Sequence, residues 1–292
     1  MADSEVVEPA SKKRKAAESA EHHDASRSAV PVTSVLVGHF RALESKKPPA
    51  ERLFHDPVAE EHCLDFDWNT TWVPAAGYSK EAWTNFMALR TRWIDDKISE
   101  LLPKQLVLLG AGLDARAFRM ECLKQSSVFE VDFPEVLTAK NEMLHGTPSI
   151  AKRVCAPANL SLHNWPEQVA AAGFDRAESS TVWLLEGLTG YLTGEELDAL
   201  FATLGEAMST TSLMLVSFVS TKMRDNKNGI GQLHRRSFED VDEVQTYLKG
   251  HGWSAQVSEV QDIAKFYKRE EPLPDFPYFV AVATKCSVPA SK

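Results

Sequence analysis

Two rhythms of apolar residues organise this chain. Short continuous runs fall at residues 105–109, 128–131, 181–185 and 213–219. Runs of this length, bounded by polar and turn-forming residues, read as strands buried on both faces. Between several of them the apolar positions repeat at helical spacing instead. Leu197, Leu200, Phe201 and Leu204 are the clearest case, and the pair Thr193 and Glu196 ahead of them forms a capping box. Residues 186–192 then belong to a strand-to-helix loop. Ser237 with Asp240 predicts a second capping box, opening a helix that Gly250 and Gly252 close.

Strand and helix in alternation predict an α/β fold of Rossmann-like type, a mostly parallel twisted sheet with helices on both faces. Two further strand-like segments, 254–260 and 278–284, have no convincing helix between them and are expected to form an antiparallel C-terminal edge. Ahead of the sheet, residues 31–102 read as a helical N-terminal cap. Its last helix is expected to begin after Ser79, a suitable N-cap. Residues 1–30 hold almost no large apolar side chains and are expected to be a disordered tail. The rest, 31–292, is expected to be one domain made of the cap and a core at 103–292, without an internal repeat.

Composition narrows the function classes. Of 292 residues 43% are hydrophobic, enough for a substantial core, and the net charge of -9 argues against a general nucleic-acid binder. Cys63, Cys122, Cys155 and Cys286 lie far apart with no CxxC pair, so a zinc ribbon or a dense disulfide framework is not expected. No metal site is expected either. No apolar run approaches the roughly 20 residues of a membrane span, and no signal-peptide pattern opens the chain. A cytoplasmic protein is expected, with the basic run Lys12, Lys13, Arg14 and Lys15 either a solvated tail or a signal for nuclear import.

Three positions carry candidate chemistry. The strand at 105–109 runs straight into Gly110-Ala-Gly112, where glycine permits a sharp bend and close approach of a ligand to the backbone. The next strand ends in Asp132, 22 residues past Gly110, where nucleotide-binding α/β folds place an acid on ribose hydroxyls. Asp132 also suits an N-cap for a helix starting at Phe133-Pro134. Arg90 falls on the apolar stripe of Trp83, Phe86, Met87, Ile94, Ile98 and Leu101, whereas Arg92 points away. An arginine held there needs an anionic partner, internal or on a ligand. Because Gly110 to Ala115 also reads as G-x-G-x-x-A, a nicotinamide-dependent oxidoreductase stays open at this point.

Four segments together resemble the leucine carboxyl methyltransferase-like family: residues 88–96 around Arg90, 109–116 around the glycine turn, 130–136 around Asp132, and 185–192, Leu-Glu-Gly-Leu-Thr-Gly-Tyr-Leu. Arg52-Leu-Phe-His-Asp-Pro57 is similar to the family's amino-terminal signature, and the resemblance spans roughly residues 35–285. It implies a class I methyltransferase that uses S-adenosyl-L-methionine and methylates oxygen. Arg90 would hold the cofactor carboxylate, Gly110 would lie beneath its methionine part, Gly112 would also bind the cofactor, and Asp132 would bind ribose. Glu186 would contact the cofactor or shape the methyl-transfer pocket. Asn159-Leu160 stands where many members carry Asp-Leu, and both are adenine-pocket candidates.

The chain is shorter than the eukaryotic members that methylate a phosphatase carboxyl terminus, so a small-molecule acceptor is expected ahead of a protein terminus. Tyr191 is a candidate acceptor-side residue, His163 and His234 are candidate bases, and Trp72 and Tyr78 are candidate lid residues. Besides the oxidoreductase, a non-catalytic regulator that keeps only the cofactor fold is the other reading.

Overall fold

The computed structural model describes residues 31–66, 78–226, 231 and 233–286. The predicted tail with its basic run, and Trp72, lie outside the described residues. In chain order the strands are β1 (Gln105–Leu109), β2 (Ser127–Asp132), β3 (Lys152–Pro157), β4 (Thr181–Leu185), β5 (Leu213–Val219), β6 (Trp253–Glu259) and β7 (Tyr278–Lys285). They form one sheet in the spatial order β3-β2-β1-β4-β5-β7-β6. Strands β1 to β5 pair in parallel; β7 is antiparallel to both β5 and β6. The expected parallel sheet with an antiparallel edge is thus present.

The helices that cover it are α1 (Val32–Ser45), α2 (Pro57–Cys63), α3 (Lys80–Leu101), α4 (Pro134–Met143), α5 (Trp165–Ala171), α6 (Gly194–Ala207), α7 (Val241–Gly250) and α8 (Val260–Phe266). Strands β1 and β4 are buried throughout. Alternate side chains therefore feed two cores. Val107, Leu109, Trp183 and Leu185 pack with Trp165, Leu197, Phe201 and Val244 from α5, α6 and α7. Leu106, Leu108, Val182 and Leu184 face the other way, onto Ile94 and Ile98 of α3.

Helix α3 starts where its N-cap predicts, with Ser79 Oγ accepting from the Ala82 N–H at 3.1 Å. Its inward stripe includes Arg90, but residues 83–91 are buried on nearly every side. The cause is α1, whose Phe40 stacks on Trp83 at 6.4 Å, so α3 is sandwiched between the sheet and α1. The Thr193–Glu196 capping box is formed in full.

Three expectations need correction. Helix α7 starts at Val241, capped by Asp240, whose carboxylate accepts from the Glu243 N–H at 2.9 Å; Ser237 lies 3.3 Å from Thr221 Oγ1 and caps nothing. Gly252, in the left-handed region at φ 82°, makes the turn into β6. A helix, α8, does intervene between β6 and β7, and β7 returns between β5 and β6. Strand β3 shows no apolar run because it is the opposite edge of the sheet and mostly part-exposed.

Candidate active site

All the chemistry converges at the carboxyl ends of the parallel strands, where the order reverses between β1 and β4. Open α/β sheets leave a crevice at such a switch point, because the following helices depart to opposite faces. Here the crevice is a cavity of about 360 Å³. The β1 and β2 ends supply Gly110, Gly112 and Asp132; the β4 end supplies Glu186, Gly187 and Tyr191; α3 contributes Arg90.

The glycine turn and Asp132 are built as a unit. Gly110 (φ 74°) and Gly112 (φ 41°) both occupy the left-handed region. The turn so formed lets Gly112 N–H donate to Asp132 Oδ2 at 2.7 Å, while Phe133 N–H donates to Oδ1 at 2.8 Å. Asp132 therefore sits at the head of α4, and Phe133 is that helix's N-cap residue. Burial raises the Asp132 carboxyl above its usual range, and the two N–H donors only partly offset this. Lone pairs remain for a donor entering from the cavity.

Arg90 has an internal partner. Its Nε donates to Glu186 Oε1 at 2.9 Å and its Nη1 lies 3.4 Å from the Tyr278 hydroxyl. No described residue accepts from Nη2. This edge faces Gly187, where an added Cβ would lie 3.7 Å from Nη1. Glu186 Oε2 in turn accepts from Arg116 Nη1 at 2.7 Å. Burial alone would raise the Glu186 carboxyl, but Arg116 and Arg90 outweigh it and hold it down to about 2.

Behind this pair runs a buried chain of alternating charge. Arg116 also binds Asp114 and Asp95, Arg119 binds Asp95 at 2.7 Å, and Arg41 binds Asp56 at 2.9 Å. Four arginines thus meet Asp56, Asp95, Asp114 and Glu186, so the desolvated charges balance. On the β5 side Tyr278 donates to Ser217 Oγ at 2.9 Å, and the same oxygen accepts from Gly187 N–H at 2.9 Å. Among the described residues no cluster of His, Cys, Asp or Glu is arranged to hold a metal ion.

Comparison with known proteins decides what this crevice belongs to. A model of the family described as leucine carboxyl methyltransferase matches residues 34–205. The chain belongs to the leucine carboxyl methyltransferase family of S-adenosyl-L-methionine-dependent methyltransferases. A Rhodococcus jostii protein named as a candidate S-adenosyl-L-methionine-dependent methyltransferase is 33% identical over 86% of this chain and 90% of its own length. One from Streptomyces coelicolor, named likewise, is 32% identical over 83% and 89%. In fold the chain is similar to a DUF574 family protein of Streptomyces avermitilis (TM-score 0.54, 15% identity, 85% of this chain and 96% of that one). It is also similar to a structure from Thermobifida fusca described as a candidate methyltransferase (TM-score 0.53, 16% identity, 89% and 96%).

Family membership thus resolves the ambiguity of the glycine turn toward the methyl donor. The residues present fit S-adenosyl-L-methionine. Asp132 offers acceptor lone pairs to a diol, and the Arg90–Glu186 pair offers one group of each charge to an amino acid. Arg90, Gly110, Gly112, Asp132, Glu186 and Tyr191 line one cavity; Asn159, Leu160 and His163 do not. Asn159 Oδ1 accepts from Ser161 N–H at 2.9 Å, Leu160 packs on the core, and His163 is exposed beside Thr203. Tyr78 lies outside the lining, its hydroxyl on Asp275 at 2.8 Å. Sequence reasoning missed Gly187, Tyr278, Arg41 and Phe133, all of them cavity residues. Of these only Gly187 left a signal, a glycine directly after the strand-end Glu186.

Proposed function

We propose that this methyltransferase transfers the methyl group of S-adenosyl-L-methionine to an oxygen, hydroxyl or carboxylate, of a small molecule. The observation that carries the cofactor half of this reading is the pairing, in one crevice, of the Asp132 acceptor with the Arg90–Glu186 pair, and the match to a carboxyl methyltransferase family supports the oxygen acceptor. Asp132 would hold the ribose hydroxyls and the open edge of Arg90 the methionine carboxylate. Glu186 would face the ammonium, with Gly110 and Gly112 beneath the chain between. Phe133, 44% exposed beside Asp132 and part of the lining, offers an apolar wall to the base. Asn159 and Leu160 would have to approach from the rim.

The bound cofactor supplies a methyl already activated as a sulfonium. What remains for the protein is to seat the acceptor oxygen in line and exclude water. The reading is tested by incubating the enzyme and methyl-labelled cofactor with a small-molecule extract and with its protein fraction. Label on oxygen in the small-molecule fraction is the expected result. Label on nitrogen, carbon or sulfur contradicts it, and label confined to protein moves the acceptor to a polypeptide. We place the protein in the cytoplasm; neutralising Lys12–Lys15 in a tagged copy tests import, which loss of nuclear signal would reveal.

A further inference from the structure

On that reading, we infer that the methyl acceptor is an uncharged phenol, seated against His234, which takes the hydroxyl proton. The cavity divides along the sheet, and the half away from Asp132 is apolar and aromatic. There Trp83, Phe86 and Met87 of α3 meet Val219, Met223 and Tyr278. Phe86 packs edge-on to Tyr278 at 5.1 Å and to Trp83 at 5.8 Å. Such a wall suits an aromatic ring. It does not suit a second anion: the lining arginines among the described residues are Arg41, matched by Asp56, and Arg90, which pairs with Glu186 and on that reading gives its open edge to the cofactor carboxylate. A carboxylate acceptor would enter with no cation from the lining left to receive it.

His234 is the polar group set into this wall. It is 9% exposed, with its ring 5.3 Å from that of Tyr191. Nδ1 is enclosed and has no hydrogen-bond partner among the described residues, and none of them hydrogen-bonds Nε2, the nitrogen with an accessible edge. The ring is fixed by the backbone: His234 N–H donates to Gly231 O at 3.0 Å and Arg235 N–H to Gly190 O at 2.6 Å. Gly190 makes room for it, since a Cβ there would lie 2.9 Å from the imidazole Cδ2 and 2.8 Å from Val219. The titratable neighbour at ring distance is Tyr191, whose phenol burial pushes up to about 12. The next residue, Arg235, turns outward to Glu196 at 3.2 Å.

Burial lowers the imidazole to about 4, so it is uncharged at neutral pH and open to a proton. So weak a base cannot ionise the hydroxyl beforehand, and the proton must move as the new bond forms, when the oxygen is losing electron density. The acceptor oxygen bonds to the methyl carbon and the carbon–sulfur bond breaks with its electron pair left on sulfur. The hydroxyl proton passes to Nε2. The positive charge so passes from sulfonium to imidazolium. A phenol is acidic enough for this exchange, whereas an aliphatic alcohol is far less so.

The test uses the full chain and a matched pair of probes, 2-naphthol and 2-naphthoate. S-adenosylhomocysteine binding is measured first by calorimetry; its absence would sink the methyltransferase reading itself. With that ligand bound, 2-naphthol is expected to bind at least about tenfold tighter than 2-naphthoate, and equal or reversed affinities overturn the inference. Across a panel of one- to three-ring phenols, wild type is expected to methylate at least one member, and methylation of none overturns it. For that phenol, His234→Gln and His234→Asn should lose roughly a hundredfold in rate at neutral pH with unchanged S-adenosylhomocysteine affinity. Their rates should then climb about tenfold per pH unit as solvent ionises the phenol, while wild type stays nearly level. Folded variants with wild-type rates and pH profiles would remove His234 from the reaction.

Discussion

Asp132 has two structural duties before any ligand arrives, accepting from the turn at Gly112 and from the head of α4. Asp132→Ala should therefore lose cofactor affinity by roughly tenfold to a hundredfold, the equivalent of about 1.5–3 kcal/mol for charge-assisted bonds. It should also lower the melting temperature, because two N–H groups lose their acceptor. Asp132→Asn, which keeps one acceptor oxygen but turns an amide donor toward the other N–H, should recover part of the stability at most and not the affinity. Equal affinity for wild type and Asp132→Ala in calorimetry would remove the ribose role. Glu186 yields a prediction in pH. Its folded carboxyl is held at about 2, below the ordinary 4.5, so its contribution to stability is present above 4.5 and lost as pH falls toward 2. Glu186→Gln should flatten that part of the stability curve. It should also cost about 3–5 kcal/mol at neutral pH, by leaving Arg90 without its carboxylate partner, whereas Arg116 keeps Asp95 and Asp114. An acid limb of unchanged slope in the variant would contradict the ion-pair account.

At the scale of elements, the site depends on α1 being pressed against the glycine turn. A Cβ on Gly112 would lie 2.7 Å from Ser34 Oγ, at a φ of 41° that side chains rarely adopt. Gly112→Ala should thus cost about 1–3 kcal/mol in stability and weaken cofactor binding. Thr193→Ala removes the α6 cap away from the cofactor half; it should cost about 1 kcal/mol and leave cofactor affinity unchanged. Thermal melts and calorimetry on both variants check the contrast, and equal affinity losses would contradict it. The elements legible in the sequence were those whose burial is complete: β1 and β4 pack on both faces and so read as unbroken apolar runs. Strand β3 hid because, at the sheet edge, it is part-exposed along most of its length, and α8 because Gln261, Asp262 and Lys265 interrupt a helix of only about two turns. Asp240 rather than Ser237 caps α7 because the chain at Phe238 is still bridged to Ser220, which delays the helix.

Across the whole molecule, sequence spacing could place Arg90 on a buried stripe but could not name its partner, since Glu186 lies on another element 96 residues away. Nor could it separate His163 from His234, which the fold sends to an exposed loop and to the cavity wall. The family motifs marked the ligand-facing ends of β1, β2 and β4. The arginine–carboxylate chain behind them, the β7 Tyr278 and the acceptor wall arise only when distant segments meet. Whether this crevice binds S-adenosyl-L-methionine is tested most directly by titrating S-adenosyl-L-methionine, S-adenosylhomocysteine and NAD into the full chain by calorimetry. The account predicts one-to-one binding of the first two, weakened in Asp132→Ala, and no heat from NAD. A folded chain that binds NAD, or neither sulfur ligand, would contradict it.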